Sequence, residues 1–504
     1  MKSAAIKLTC VLVVVLVLIS ASYRAETHPG NKSELATFQD DLKKLCQCVD
    51  KFGPPAPELN PTVLPVDVSL EDNLKCKYKD ECLNSPTGCC QPCFDCFGWQ
   101  LFIALNWPAK STGEPDPTKP FGMPGDIDNV VWQTYKNALD VFGDTQPTWS
   151  NDHEYKLKLN SAVLPGTFLE ADLQSDNNWL TDQDGQVVRY EIRMNADEFH
   201  YIVKNDLWHQ EGIYNFVKNG PGITLPSKES EYGKIGAIEI KAAWRIIPDN
   251  RRDYFKQNYK TARAEIKDSV TGETMVRDVA LVGLHIIKKT PNSPQWVWAT
   301  FEHKDNVPVE GDSGKGRTWN FFNPDAPSDY RPNWEHPPYG LTQRSTPVQV
   351  IRIKQPNGDD ADSKIINDAM HSLIKARFPA SVWQNYDLIS VQWPREPFSP
   401  KPDPKAPRVL PSGQPRPRIV ANTTMESYQQ LKWSDGGYGM TPGSGADQGP
   451  ENLEPINFPD KGKSSCIGCH RMAATTPPFA NHPKETWWTD YSSLFFKARL
   501  KKTR

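Results

Sequence analysis

From about residue 190 to residue 353 the apolar positions alternate with polar ones. In GAIEIKAAWRII, Ile238, Ile240, Ala242, Trp244 and Ile246 fall on one side of an extended chain, and Glu239, Lys241 and Arg245 on the other. A period of two predicts half-buried strands. VALVGLHIIKK, QWVWATFEH and VQVIRIK continue the pattern, parted by turn-rich stretches such as TPNSPQ. Strands that follow one another without intervening helical periods predict an antiparallel sheet or sandwich. Elsewhere the period lengthens. FGWQLFIALNWP reads as an apolar helix stopped by Pro108, and DNVVWQTYKNALDVFG places Trp132, Tyr135, Leu139 and Phe142 on one helical face. In DDADSKIINDAMHSLIKARF, Ile365, Ile366, Ala369, Met370, Leu373 and Ile374 form an apolar face behind a cap at Asp362 or Ser363. HPKETWWTDYSSLFFKARLKK fits a helix from Pro483, with Trp487 or Trp488, Tyr491, Leu494 or Phe495 and Ala498 on its stripe. The expected class is mainly β with some α (α+β), built on an antiparallel sandwich-like body.

The pattern is interrupted in three places. Residues 1–25 carry Lys2 and Lys7, an apolar run from Leu8 to Ile19 and then small residues, the layout of a secretory signal. The run is shorter than the about 20 residues a spanning helix needs, so cleavage and no remaining membrane span are expected, with the product periplasmic or secreted. Residues 26–110 form a cysteine-rich region: of eleven cysteines in the 504-residue chain, eight lie between Cys46 and Cys96, while Cys10 leaves with the signal. In an exported chain this clustering predicts disulfides. Cys90, Cys93 and Cys96 also share the spacing of an iron–sulfur run, but Gln100 stands where the next thiolate is due. Residues 111–392 make up the β-rich body. A proline-rich linker, 393–419, holds nine prolines and predicts an extended arm before a last segment, 420–504.

Sixteen Trp, sixteen Tyr and twenty Phe supply a large core. A formal charge of −3 offers no field for nucleic acid, which is not an expected partner.

The last segment carries the chemistry. Cys466-Ile467-Gly468-Cys469-His470 is a C-x-x-C-H motif. Two thiols at this spacing add to the two vinyl groups of haem, and the adjacent histidine meets the iron. One covalent haem c per chain is therefore expected, bound through Cys466, Cys469 and His470, with His470 the metal ligand. A redox dithiol, a partial zinc site and a strained disulfide are the competing readings. A sixth ligand would be His482, Met440, Met425 or a histidine of the β body; a vacant position is the alternative.

SCIGCH preceded by ANTTMESY, together with LFIALNWPA and WVWATFEHKDNVP, resembles a group of exported bacterial proteins described as cytochrome c family proteins. The shared phrases run from about Trp99 to Cys469. The resemblance implies monohaem binding and electron transfer with a redox partner protein or a small-molecule donor or acceptor. Two rivals follow from the residues: a haem-dependent oxidoreductase whose substrate sits on the β body, and a haem-free, disulfide-rich binding protein. Weaker candidates are Glu302, His303, Asp305 and Asn306 in TFEHKDN, His209 and Glu211 in NDLWHQEG, the acceptor motifs at Asn31 and Asn422, and the basic tail KARLKKTR. Ordinary turns and solvated ends compete with each.

Overall fold

Alternation along the strands decides which way each of them faces, and nine strands hydrogen-bond into one sheet. The computed structural model describes residues 37–38, 40–41, 62–68, 91–143, 145–149, 157–160, 179–220, 222–267, 272–327, 330, 332–333, 346–353, 363–394, 415–417, 420–428, 430, 466–470, 473–475 and 487–498. The sheet runs β1 (Lys136–Asn137), β3 (Arg189–Met194), β4 (Ile238–Ile246), β6 (Thr274–Thr290), β7 (Ser293–His303), β8 (Tyr386–Pro394) and β9 (Pro415–Arg416), all antiparallel neighbours. Strand β5 (Thr261–Lys267) pairs with the first half of β6, and β2 (Leu157–Asn160) lies parallel to β5. The antiparallel, mainly β body with some helix is as the alternation predicts. The signal and most of the cysteine-rich region lie outside the described residues, as does the centre of the proline-rich segment.

One face of the sheet is largely apolar, with Arg189, Glu191 and Arg193 of β3 and Lys288 of β6 as its buried charged members. Ile238, Ile240, Ala242, Trp244 and Ile246 of β4 join Leu284 and Ile286 of β6, Val297, Ala299 and Phe301 of β7, and Leu388 and Val391 of β8 in one cluster. Helix α1 (Gln91–Leu105) lies on it, contributing Phe94, Phe97, Trp99, Leu101 and Phe102. Gly98 lets the helix come close, since a Cβ there would stand 2.5 Å from Val391 Cγ2. Helix α5 (Lys364–Arg377) adds Met370 and Ile374, and Trp99 Nε1 donates to Asn367 Oδ1 at 2.9 Å across the two helices. At its start the Ser363 hydroxyl donates to Asp95 Oδ2 at 3.0 Å and makes no cap bond. Each large side chain buried here contributes about 1.5–3 kcal/mol. Cys93 and Cys96, on α1, are both disulfide-bonded, which removes their thiolates from iron–sulfur ligation.

The other face is covered too. Glu239 and Arg245, which a half-buried strand would turn to water, are 5 % and 0 % exposed. Above this face lie α2 (Ala196–Lys204), capped by Asn195, α3 (Gln210–Asn219), capped by His209, the short α4 (Arg252–Asn258), the turn at 420–428, the five-residue helix α6 (Cys466–His470), and residues 487–498. Two apolar clusters flank a polar band. One gathers Met194, Ile287, Trp298, Ile467, Trp487, Tyr491 and Phe495; the other gathers Tyr190, Ala243, Val282, Met425 and Tyr428.

Several local expectations are corrected. Val131–Thr134 and Ala138–Asp140 are short 3-10 turns around β1 and not one helix, and Leu139 is exposed. Residues 348–353 join no ladder; their backbone N–H groups donate to Thr181 O, Phe321 O and Pro308 O, and Arg352 forms an isolated bridge with Val309. Trp393 and Pro394, expected to open a free arm, finish β8 and pair with Arg416 and Pro415. Trp487–Trp488 is a strand, β11, paired with β10 (Ala474–Thr475), and Ser493–Lys497 is a 3-10 turn. The helix fails because Asp490 and Tyr491 have φ of 54° and 70°, in the left-handed region. The same apolar residues are nonetheless buried, Trp487, Trp488, Tyr491, Leu494, Phe495 and Ala498 among them.

Candidate functional site

Helix α6 places Cys466 and His470 one turn apart and seats them against the covered polar face. Ile467 inserts into the first apolar cluster, and its backbone N–H donates to Gln392 Oε1 at 2.8 Å. Gln392 is fully buried on β8, and its Nε2 donates to Pro417 O at 2.8 Å, so one side chain ties the motif helix to the strand and to the returning chain. Cys466 is partly exposed, with its Sγ 3.9 Å from Val420 O.

His470 is held on both sides. Its Nδ1 lies 2.9 Å from Tyr491 O, and a carbonyl can only accept, so Nδ1 carries the proton and Nε2 keeps its lone pair. Its ring packs against the Trp298 indole at 4.4 Å between centroids, tilted by 53°. Burial pushes its pKa down to about 4, so the imidazole is neutral at physiological pH. Tyr491 presents its carbonyl through the left-handed turn, and Asp490 locks that turn. Asp490 Oδ2 accepts from Leu225 N at 2.7 Å and pairs with Lys289, while Asp490 O accepts from Trp296 Nε1 at 2.8 Å. Two left-handed non-glycine residues cost on the order of 1–3 kcal/mol each and persist only where the surroundings over-determine them.

Beside the motif, strand pairing sets Lys241 of β4 opposite His285 of β6 and Thr300 of β7 beyond it. His285 Nε2 lies 3.1 Å from Glu426 Oε1. Burial opposes the Glu426 charge, but His285 and Lys241 outweigh it and hold the carboxyl below its ordinary range. Burial lowers Lys241 in turn. Among the described residues, Lys241 Nζ makes no hydrogen bond, and its charge acts on both Cys466 and His470. Trp298 Nε1 is likewise a buried donor without a partner.

The other sequence candidates resolve as scaffold. His209 caps α3, its Nδ1 accepting from Gly212 N at 3.1 Å. Glu302 accepts from Thr423 N at 2.6 Å and pairs with Arg352, His303 stacks on Tyr259, and Asn306 and Asp305 tie the turn to Asn320, Tyr254 and Arg317. Asn422 is fully buried, donating to Thr300 Oγ1 and Phe301 O, which is incompatible with a glycan on the folded chain. Met425 is fully buried in the second cluster of this face; Met440, His482, Asn31 and the tail beyond Ala498 lie outside the described residues. Among the described residues no three His, Cys, Asp or Glu side chains group to hold a metal ion.

Sequence reasoning missed Gln392, Trp298 and the Tyr491 carbonyl. A backbone acceptor carries no residue signature, and Gln392 and Trp298 read as ordinary strand positions. Lys241 was visible as a polar strand position but not as a neighbour of Cys466. Comparison of the chain with protein-family models, with curated proteins and with solved structures returns no match.

Proposed function

We propose that this chain is an exported monohaem c-type cytochrome-like protein, holding haem by thioether bonds from Cys466 and Cys469, ligating it with His470, and passing single electrons to and from a redox partner. The observation that carries this reading is the His470 Nδ1 bond to the Tyr491 carbonyl. It fixes the tautomer, orients the ring and leaves a neutral Nε2, the form in which histidine binds iron. When bound, haem supplies a one-electron couple that no side chain of the protein offers.

The surrounding residues fit such a group. Gln392 anchors the motif helix through Ile467 N, and Trp298 packs the side of the His470 ring. Trp298 Nε1 is a buried donor that the described protein does not satisfy, and Lys241, whose ammonium stands over the Tyr190 ring, adds a positive charge beside it; both suit a haem propionate. Disulfides at Cys93 and Cys96 fit an oxidising compartment, where covalent haem attachment also takes place.

The test is a haem stain on a denaturing gel with a pyridine haemochrome spectrum, on wild type and on a Cys466→Ser/Cys469→Ser variant exported by the same maturation-competent strain. Stain and a c-type spectrum that vanish in the variant are expected. A colourless wild type overturns the reading.

A further inference from the structure

A second cluster of titratable groups sits behind the motif, and the haem reading makes no use of it. Glu198, in the first turn of α2, meets Glu239 of β4 in the interior; they are 0 % and 5 % exposed. Both oxygens of Glu198 and Oε1 of Glu239 lack any donor from the described protein. Two ionised carboxylates cannot share such a place, because each is stripped of water and repels the other. One proton between them removes the repulsion and one of the two buried charges, with Glu198 donating to Glu239. The neighbouring charges are Lys289, at the end of β6, and Asp490, which pair with each other; Tyr201 of α2 also faces Asp490, its Oη accepting from Thr224 N. The quartet of Glu198, Glu239, Asp490 and Lys289 then holds one net negative charge with one proton bound and none with two.

This cluster is wired to the motif. Glu239 is hydrogen-bonded to Ser492, and the residue before it, Tyr491, offers the carbonyl that receives His470 Nδ1. Asp490, on the other side of Tyr491, binds Lys289 of the same cluster. The turn that positions His470 is therefore built on the acid pair.

We propose that Glu198 and Glu239 form a proton-binding site coupled to the charge of the group ligated by His470, taking up one proton from water when an electron arrives and returning it when the electron leaves. The proposal rests on the haem reading. One electron comes from the partner protein and one proton from solvent, and only a carboxyl O–H bond is made or broken. Loss of one positive charge at the far end of this chain of bonds strengthens proton binding at the pair through a low-dielectric interior. Burial raises both carboxyls, Glu198 well above its ordinary range and Glu239 to about 7, so the pair binds protons well above the pH at which an exposed carboxylate does.

Spectroelectrochemical titration of the holoprotein tests it. In wild type the midpoint potential falls as pH rises through neutrality, by up to about 59 mV per pH unit, the tenfold equivalent for one electron. In Glu198→Gln and in Glu239→Gln the slope disappears while the haem stain remains. Reduced-minus-oxidised infrared spectra gain a carboxylic acid carbonyl band in wild type and lose it in both variants. A midpoint independent of pH, or a slope and band that survive both substitutions, overturns the proposal. A colourless wild type overturns the haem reading and the coupling with it, whereas a stained protein with a flat midpoint overturns the coupling alone.

Discussion

Both faces of the sheet are covered, one by a single large apolar cluster and the other by two apolar clusters around a polar band. Under α1 and α5 most contacts are aromatic and aliphatic, and Asn367 and Gln91 tie the helices to β8 through Leu388 and Val391. On the other face Glu239, Lys241, His285, Thr300, Glu302 and Gln392 meet the turn at 420–428, the motif helix and residues 487–498. A glycine marks a close approach on each side. Gly98 admits Val391, while at Gly283 a Cβ would stand 2.0 Å from Thr424 Oγ1. The face under α1 and α5 gives stability through area. The polar face gives position, since each hydrogen bond there has one acceptor and one geometry.

Removing a large ring from the apolar face gives the largest effect. Trp99→Ala leaves a cavity and takes one of the two donors from Asn367 Oδ1, and a loss of about 3–5 kcal/mol is expected in denaturant unfolding. A loss below about 1 kcal/mol would break the assignment of this face as the main core. A smaller effect follows from Gly283→Val. Overpacking against Thr424 is expected to cost about 1–3 kcal/mol. It should appear first as proteolytic cleavage and faster amide exchange in the segments around 420–428 and 466–498, with α1 still protected. Uniform loss of protection across both faces would contradict the separation.

A third effect shows only as a slope with pH. Burial holds His303 down to about 3 from 6.5, so the folded chain keeps it neutral while the unfolded chain protonates it as pH falls through 6.5. Unfolding takes up a proton in that window, so stability is full above about 6.5 and declines between there and about 3. His303→Gln should flatten this limb in pH-dependent thermal melts; an unchanged limb assigns it to other groups.

The alternation in GAIEIKAAWRII was legible down to the residue, because a strand turns successive side chains to opposite sides whatever covers them. What covers them was not. Lys241 and Glu239 read as water-facing because polarity is the same signal whether the neighbour is solvent or a buried Glu426 or Glu198. The motif was legible as Cys466, Cys469 and His470, since all three fall within five consecutive residues. Its seat was not, for the Tyr491 carbonyl depends on two left-handed residues, Asp490 and Tyr491, inside a sequence whose apolar spacing is that of a helix. Burial of Trp487, Trp488 and Phe495 followed from hydrophobicity alone, with a strand and a 3-10 turn achieving what a helix was expected to do.

The central claim is that the segment seated on the polar face carries covalent haem. Intact-mass spectrometry of the exported, denatured protein, beside a Cys466→Ser/Cys469→Ser variant, tests it most directly. The account predicts a wild-type mass greater by one haem than that of the mature chain, and a variant without the addition; a wild-type mass equal to the bare polypeptide would contradict it.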